Sequence, residues 1–247
     1  MIKFISVVVI LASSAIAMAQ GNDANRNVIG DLEEKSRAGG MLTQIPMSNP
    51  ATKGNSYLND QWMMGDIEFY GGEVIENKLS RYDLANHSIE VKFDGFTKAI
   101  GDQYVKTLSS VNVVDGTYQY YVNVEDLEVM ESDEPYVGLV RMMRFQGYWD
   151  LIVRTDLQYI EASYNKTLDM GSNENKINKK EKYFIYSENG FVELEKKRKL
   201  FFMQFGEKYE EPLKQFVKSQ QLNTTKFEDI GKIVVFANAI KSQSDES

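Results

Sequence analysis

Apolar and polar residues alternate along the middle of the chain, from about residue 61 to residue 194. The clearest example runs from Tyr118 to Val124, where every second residue is a tyrosine or a valine. A period of two places successive side chains on opposite faces of a β-strand. Asp94-Gly95 and Asp115-Gly116 interrupt the alternation, and such pairs favour the positive φ angles of tight hairpin turns. The pattern therefore predicts a series of antiparallel hairpins.

After Leu194 the period becomes helical. Leu213, Phe216 and Val217 are spaced i, i+3, i+4, which is typical of one buried helix face. Pro212 suits the first turn of that helix. Thr225 and Glu228 have the spacing of a capping box, which predicts the start of a further helix. This part of the sequence therefore predicts three short helices, ending in a frayed tail after Lys241.

Strands come first along the chain and helices last, without strand–helix–strand alternation. This order predicts a mainly β (α+β) fold, in which an antiparallel curved sheet or open barrel is followed by a small C-terminal helical cap. The predicted organisation is a signal peptide at 1–19, a flexible leader at 20–55 and an antiparallel β body at 56–195. A helical cap at 196–241 packs on the body, and 242–247 form a tail.

The first nineteen residues have the pattern of a secretory signal peptide. Lys3 gives a positive start, residues 4–16 are almost all apolar, and Ala17-Met18-Ala19 has the small-x-small form of a cleavage site. The apolar run is too short to span a bilayer, and no stop-transfer segment follows it. We therefore expect export through the inner membrane of a bacterium, to the periplasm, the cell surface or the medium.

Composition narrows the classes of function. The formal net charge is −8, which disfavours nucleic acid as a partner because phosphate neutralisation by basic residues supplies most non-specific affinity. The chain has no cysteine, so it is neither a disulfide scaffold nor a thiol enzyme.

The sequence holds no recognisable set of catalytic groups. Its single histidine, His87, lies in a predicted hairpin turn without an obvious partner to orient it. No histidine pair has zinc-site spacing, and no glycine loop has the form that holds phosphates. The acidic run at 125–134 could offer oxygens to calcium, but it lacks the spacing of a calcium loop and also fits a solvated loop. We expect no catalytic residue, no metal site and no cofactor.

Aromatic residues are the other visible feature of the β body. The candidate ligand-binding residues are Trp62, Tyr118, Tyr120 and Trp149, which could line a pocket for an apolar or carbohydrate ligand. The alternative is that they fill the core between the sheet and its helical cap. Methionines offer an adaptable lining for an apolar ligand; they are Met63, Met64, Met142 and Met143.

Three stretches resemble a group of exported β-rich proteins common in Bacteroidota. They are the segment Gly-Asn-Ser-Tyr-Leu-Asn-Asp-Gln-Trp at 54–62, the segment Leu-Ser-Arg-Tyr-Asp-Leu at 79–84, and the end of the chain, where 213–220 lead to a helix opening near Phe227-Glu228-Asp229. The resemblance covers most of residues 54–240 and its motifs are short. It implies a β-rich body, a short C-terminal helical pair and an envelope location. It implies no biochemical activity and no catalytic residue.

These observations favour an exported bacterial envelope protein that acts as a non-enzymatic binding or assembly module. The expected partner is an envelope protein or an apolar ligand of unknown identity, with neither nucleic acid nor a transmembrane span. One alternative is a periplasmic carrier of a hydrophobic or lipid ligand. Another is a glycoside hydrolase that uses two carboxylates, which can come from distant positions in the sequence.

Overall fold

The computed structural model describes residues 42–43, 52–127, 137–163, 170, 174–195 and 197–245. Four sequence predictions lie wholly or partly outside them: the signal peptide, most of the leader, the acidic run beyond residue 127, and the last two residues of the tail.

Within the described residues, twelve strands and three α-helices follow one another in sequence. The strands are β1 (Leu42–Thr43), β2 (Thr52–Lys53), β3 (Met63–Phe69), β4 (Val74–Asp83), β5 (Ser88–Phe93), β6 (Phe96–Gly101), β7 (Val105–Val111), β8 (Tyr118–Asn123), β9 (Leu139–Met143), β10 (Asp150–Ile160), β11 (Asn175–Ser187) and β12 (Gly190–Glu193). The helices are α1 (Arg198–Met203), α2 (Glu207–Ser219) and α3 (Phe227–Asp245). Short 3-10 turns occupy Asp102–Tyr104 and Val124–Asp126.

All twelve strands belong to one sheet. Its order is β1-β6-β5-β4-β3-β7-β8-β9-β10-β11-β12, with β2 paired to the start of β11. Neighbouring strands are antiparallel except at the β2–β11 pair, which is parallel. Within the described residues β1 and β12 are the two ends of the order, so the sheet is open. The prediction of a mainly β fold with an open antiparallel sheet and C-terminal helices is confirmed.

Cross-strand pairing defines the two faces of this sheet. Directly opposed residues share a face, and one row of them runs across six strands from β3 to β11. This row consists of Ile67, Leu108, Tyr121, Arg141, Val153 and Tyr183. We call this side of the sheet the helix-bearing face, because Leu151 and Ile185, which lie two residues from Val153 and Tyr183, are buried against the helices.

Two apolar clusters lie on the helix-bearing face. The first is built on β3 to β7 around Ile67, Ile89 and Leu108, with Tyr121 and Leu139 at its margin. The second joins β10 and β11 to the helices through buried side chains. Its central members are Leu151, Ile185, Phe201, Phe202, Leu213, Ile230, Ile233 and Val234. A third cluster, which includes Val122, Ile152 and Phe184, covers the opposite face of β8 to β11. The first two clusters therefore meet near the middle of the row.

Helix α3 is fixed to the sheet by one buried amide. Asn238 Oδ1 accepts a hydrogen bond from Trp149 N at 2.8 Å, and Asn238 Nδ2 donates to Trp149 O at 2.9 Å. Gly147 passes so close that a Cβ there would overlap the Asn238 side chain. A glycine is therefore needed at position 147 for this contact to form.

The predicted position of Pro212 is wrong. Helix α2 begins at Glu207, so Pro212 lies inside the helix rather than in its first turn. The earlier start follows from Gly206, whose φ of 103° permits the sharp turn between α1 and α2. Proline cannot donate the backbone hydrogen bond expected by the carbonyl of Lys208. Pro212 is exposed, so water can bind that carbonyl instead.

The predicted capping box of the last helix is also absent. Thr225 donates through both its amide and its hydroxyl to Asn223 Oδ1, at 2.9 and 2.8 Å. Asp229 Oδ2 accepts a hydrogen bond from Asn223 N at 3.0 Å. An Asn-centred turn thus replaces the cap at Thr225, because an asparagine side chain competes strongly for nearby amides. At its other end the helix continues to Asp245, beyond the predicted fraying at Lys241.

Candidate functional site

A cleft of about 500 Å³ opens on the helix-bearing face, where the two apolar clusters meet. Its walls come from the segment before β3, from strands β8 to β11 and from the loop before α3. The lining residues are Leu58, Asn59, Tyr121, Leu139, Arg141, Val153, Thr155, Lys179, Lys180, Glu181, Tyr183 and Thr225. Its volume falls in the range of roughly 300–1,000 Å³ that is usual for small-molecule sites.

The register of the sheet places polar side chains at this point. The cross-strand row is apolar at Ile67 and Leu108, becomes polar at Tyr121 and Arg141, is apolar again at Val153 and ends at Tyr183. A sheet face that is covered by packed helices normally stays apolar. The polar middle of the row therefore interrupts the core and forms the floor of the cleft.

The strap, residues 54–62 ahead of β3, forms one wall of the cleft. The strap lies ahead of β3 in the chain and pairs with the end of β4. Leu58 N donates to Tyr82 O at 2.8 Å, and Leu84 N donates to Ser56 O at 3.0 Å. Asn59 Nδ2 then donates to Tyr121 Oη at 3.3 Å and to Gln119 Oε1 at 3.1 Å. These bonds hold the strap against the floor of the cleft.

Arg141 and Glu181 form a charged pair in the lining of the cleft, with Phe227 and Tyr183 in contact with it. Arg141 Nη2 donates to Glu181 Oε1 at 3.3 Å, and its guanidinium carbon lies 3.9 Å from the centre of the Phe227 ring. Tyr183 Oη donates to the second oxygen of Glu181 at 2.6 Å. Burial, followed by this hydrogen bond to a carboxylate, raises the pKa of the Tyr183 hydroxyl. Tyr183 is therefore a fixed donor to Glu181 over the ordinary pH range.

Basic residues outnumber acidic residues in the lining of the cleft. Arg141, Lys179 and Lys180 are basic, and Glu181 is the one acidic residue among the lining side chains. Lys179 Nζ also lies 2.6 Å from Oδ1 of Asp60 on the strap. This ion pair is the first cause of the lowered pKa of Asp60. Arg141 and Lys179 are therefore each paired with a carboxylate at the cleft.

The structure does not bring the four candidate aromatic residues together. Trp62 lies on the opposite face of the sheet, where the Arg81 guanidinium carbon and Lys92 Nζ are 4.4 and 4.2 Å from its ring centre. Tyr118 is 62% exposed, and Tyr120 packs on the cluster of the opposite face. Trp149 is buried among the helices, in edge-on contact with Phe205 and Tyr209. None of the four lines the cleft.

The four methionines also lie away from the cleft lining. Met63 and Met142 are buried in the protein interior, and Met143 packs against the helices. The sulfur of Met143 would lie 3.3 Å from a Cβ at Gly231, so the glycine inside α3 lets this side chain approach. These methionines therefore take part in the packing of the sheet and its helices.

Sequence reasoning missed most of the residues that form the cleft. One local signal was present, since Arg141 is a charged residue within the apolar run Leu139 to Met143. Its period places it on the same strand face as Leu139 and Met143, where a charge is costly unless it is paired. Glu181 and Lys179 carried no such signal, because charged residues surround them in the sequence.

His87 has an orienting partner, contrary to the prediction. It lies in the β4–β5 turn with a φ of 48°, and its Nδ1 is 3.1 Å from Asp102 Oδ2. Tyr82 Oη donates to the same carboxylate oxygen at 2.5 Å. Burial, followed by the Asp102 charge, raises the pKa of the Tyr82 hydroxyl well above its ordinary value. The sequence could not show this contact because Asp102 follows a different hairpin.

Two further findings concern the described part of the chain. It contains no group of three or more His, Cys, Asp or Glu side chains placed to hold a metal ion. None of its helices has the length and apolar character needed to cross a bilayer.

Comparison of the chain with protein-family models, with curated proteins and with solved structures found no match.

Proposed function

We propose that the chain is an exported bacterial envelope protein that binds a small polar ligand without chemical conversion. The signal-peptide pattern at residues 1–19 supports export, and the three resembling stretches support a place in the group of β-rich proteins common in Bacteroidota. The cleft on the helix-bearing face is the site that we assign to the ligand.

The observation that carries this proposal is a polar cleft set between two apolar clusters. The Arg141 side chain is only 20% exposed in the middle of a sheet face, and burying its charge costs free energy that a structural role alone could avoid with an apolar residue. Asn59, Tyr121 and Thr225 add groups that can donate or accept hydrogen bonds at the same place. Convergent polar groups in a preformed cleft are typical of ligand sites.

The state of Glu181 favours binding over hydrolysis. One of its oxygens contacts Arg141 and the other accepts from Tyr183, so both are already engaged. A glycoside hydrolase places two carboxyl groups across the scissile bond, about 5–10 Å apart. Glu181 is the one carboxylate among the residues that line the cleft.

The character of the lining also favours a polar ligand over a lipid. Arg141, Lys179 and Glu181 would each lose hydration against an acyl chain, which is costly for charged groups. The methionines that would suit an apolar ligand pack elsewhere.

Thermal unfolding of the protein in the presence of a ligand library tests the proposal. The library contains neutral sugars, sugar acids, short peptides and fatty acids. A compound that binds the native state raises the midpoint of thermal unfolding. Sugars or peptides should stabilise the protein, whereas Thr155→Phe, which fills the cleft, should abolish the effect. The matched control Thr97→Phe alters a half-buried strand threonine that does not line the cleft. Stabilisation by fatty acids alone, by no compound, or equally in Thr155→Phe would contradict the proposal.

A further inference from the structure

The guanidinium of Arg141 has unused hydrogen-bonding capacity. Within the described residues its one hydrogen bond runs from Nη2 to Glu181, at 3.3 Å. Charge-assisted bonds of this kind are usually about 2.7–2.9 Å long, so the pair is loose. Arginine carries five N–H donors in a planar fork that fits a carboxylate with two parallel bonds. The Nε–H, the Nη1–H groups and the second Nη2–H are therefore available to a ligand in the cleft, and Nη2 can share a carboxylate with either Nε or Nη1.

Phe227 fixes the plane of this fork. The guanidinium lies over the ring at 3.9 Å, and the Arg141 side chain is only 20% exposed. A stacked, partly buried guanidinium loses little further freedom when it binds, which increases the affinity gained from each hydrogen bond. Arg141 is thus held in place before the ligand arrives.

The groups around Arg141 suit hydroxyls rather than a second charge. Glu181 is 40% exposed, and each of its oxygens keeps a lone pair beyond its bond to Arg141 or Tyr183, so it can also accept from a hydroxyl donor. Asn59, Thr225 and Tyr121 are neutral groups that can exchange hydrogen bonds with a polar ligand. Tyr183, which is half-buried, also offers aromatic carbon surface within the cleft, against which the C–H face of a sugar ring can pack.

We propose that the cleft binds an acidic sugar, with the carboxylate on Arg141 and the hydroxyls on Glu181 and its polar neighbours. This assignment rests on the proposed function and names the class of ligand for the same site. A fatty acid shares the carboxylate but offers no hydroxyl groups to Glu181 or Asn59, and a peptide terminus shares the carboxylate without a hydroxylated ring.

Isothermal titration of the protein with four probes tests this inference. The probes are D-glucuronate, its neutral methyl ester, D-glucose and N-acetyl-alanyl-alanine. D-glucuronate should bind at least tenfold more tightly than the ester and glucose, and more tightly than the peptide acid. Arg141→Gln should weaken glucuronate binding at least tenfold, while the control Arg144→Gln, which lies outside the lining, should leave it unchanged.

Each other outcome overturns the inference. If the ester or glucose binds as tightly as D-glucuronate, the carboxylate has no role in recognition, although the proposal that the cleft binds a polar ligand is unaffected. Tighter binding of the peptide acid than of D-glucuronate would show that the site recognises the C-terminal carboxylate of a peptide. Unchanged affinity in Arg141→Gln places the ligand elsewhere, and failure of D-glucuronate to bind contradicts the assignment to an acidic sugar. If Arg141→Gln does not fold, the comparison of glucuronate with its ester still decides the question. Failure of the binding proposal itself is separate, because it requires that the wider library also gives no stabilisation by a sugar or peptide.

Discussion

The contact between the C-terminal helix and the sheet depends most directly on Asn238. Its amide satisfies both backbone polar groups of Trp149 and is 4% exposed. Asn238→Ala leaves a buried donor and acceptor unpaired, so we expect it to lower the free energy of unfolding by about 2–4 kcal/mol. Urea denaturation measures this loss. Asn178→Ala, on the exposed part of β11, is the control and should change stability by less than about 0.5 kcal/mol. Equal effects of both substitutions would contradict this account.

We expect the folding stability to fall at alkaline pH because of the Tyr57 hydroxyl. Burial, followed by its hydrogen bond to Glu90 at 2.9 Å, raises the pKa of the Tyr57 hydroxyl from 10.0 to about 12. Below pH 10 the hydroxyl is protonated in both states, and its contribution to stability is fully present. As pH rises from 10 to about 12, the unfolded chain loses this proton first, so stability falls.

Unfolding of wild type and Tyr57→Phe, measured by urea at several pH values, isolates this contribution from that of the other tyrosines. The difference in stability between the two proteins should be constant below pH 10 and should shrink as pH rises toward about 12. A constant difference across the whole range would show that Tyr57 titrates alike in both states.

At the scale of single elements, Pro212 destabilises helix α2 and can be replaced. It lies inside α2 and is exposed, so its side chain contributes little packing. Pro212→Ala restores a donor for the Lys208 carbonyl and should raise the free energy of unfolding by about 1–3 kcal/mol. Glu211→Ala, at the neighbouring exposed position, serves as the control and should have a small effect. A loss of stability in Pro212→Ala on urea denaturation would contradict this interpretation of the helix.

The sequence predicted the strands better than the helix ends, for a physical reason. The alternation around Tyr118 to Val124 and the turn at Asp115-Gly116 are local signals, and the structure forms the β7–β8 hairpin there. Helix starts depend instead on competition between nearby caps. Asn223 formed its own turn ahead of Thr225, and Gly206 allowed α2 to begin before Pro212. These competing signals have similar energies, so spacing alone could not decide between them.

At the scale of the whole molecule, one open sheet joins both apolar clusters of the helix-bearing face. We therefore expect a single cooperative unfolding transition. In Trp62→Phe the remaining tryptophan, Trp149, reports on the helical cluster through its fluorescence. Its urea midpoint should coincide with the midpoint from far-UV circular dichroism, which follows the whole sheet. Two separated midpoints would show that the clusters unfold independently.

The cleft could not be predicted because it is a property of the assembled molecule. Its lining extends from Leu58 to Thr225 and combines the strap, four strands and a loop. Arg141 alone gave a signal within its own strand. The sequence left open whether the two tryptophans line a site or fill the core, because large aromatic side chains do both readily. Trp149 packs under the helices and Trp62 contacts Arg81 and Lys92, so neither is placed to contact a ligand in the cleft.

The most direct test of the binding site is a titration followed by backbone amide chemical shifts. Isotopically labelled protein is titrated with D-glucuronate, and the shifted amides are placed on the structure. We expect the largest changes at Asn59, Arg141, Glu181 and Thr225, with the amides of Tyr118 and Trp149 unaffected. Saturable changes centred on Tyr118 or Trp149, or no saturable change at any amide, would contradict the assignment of the cleft to an acidic sugar.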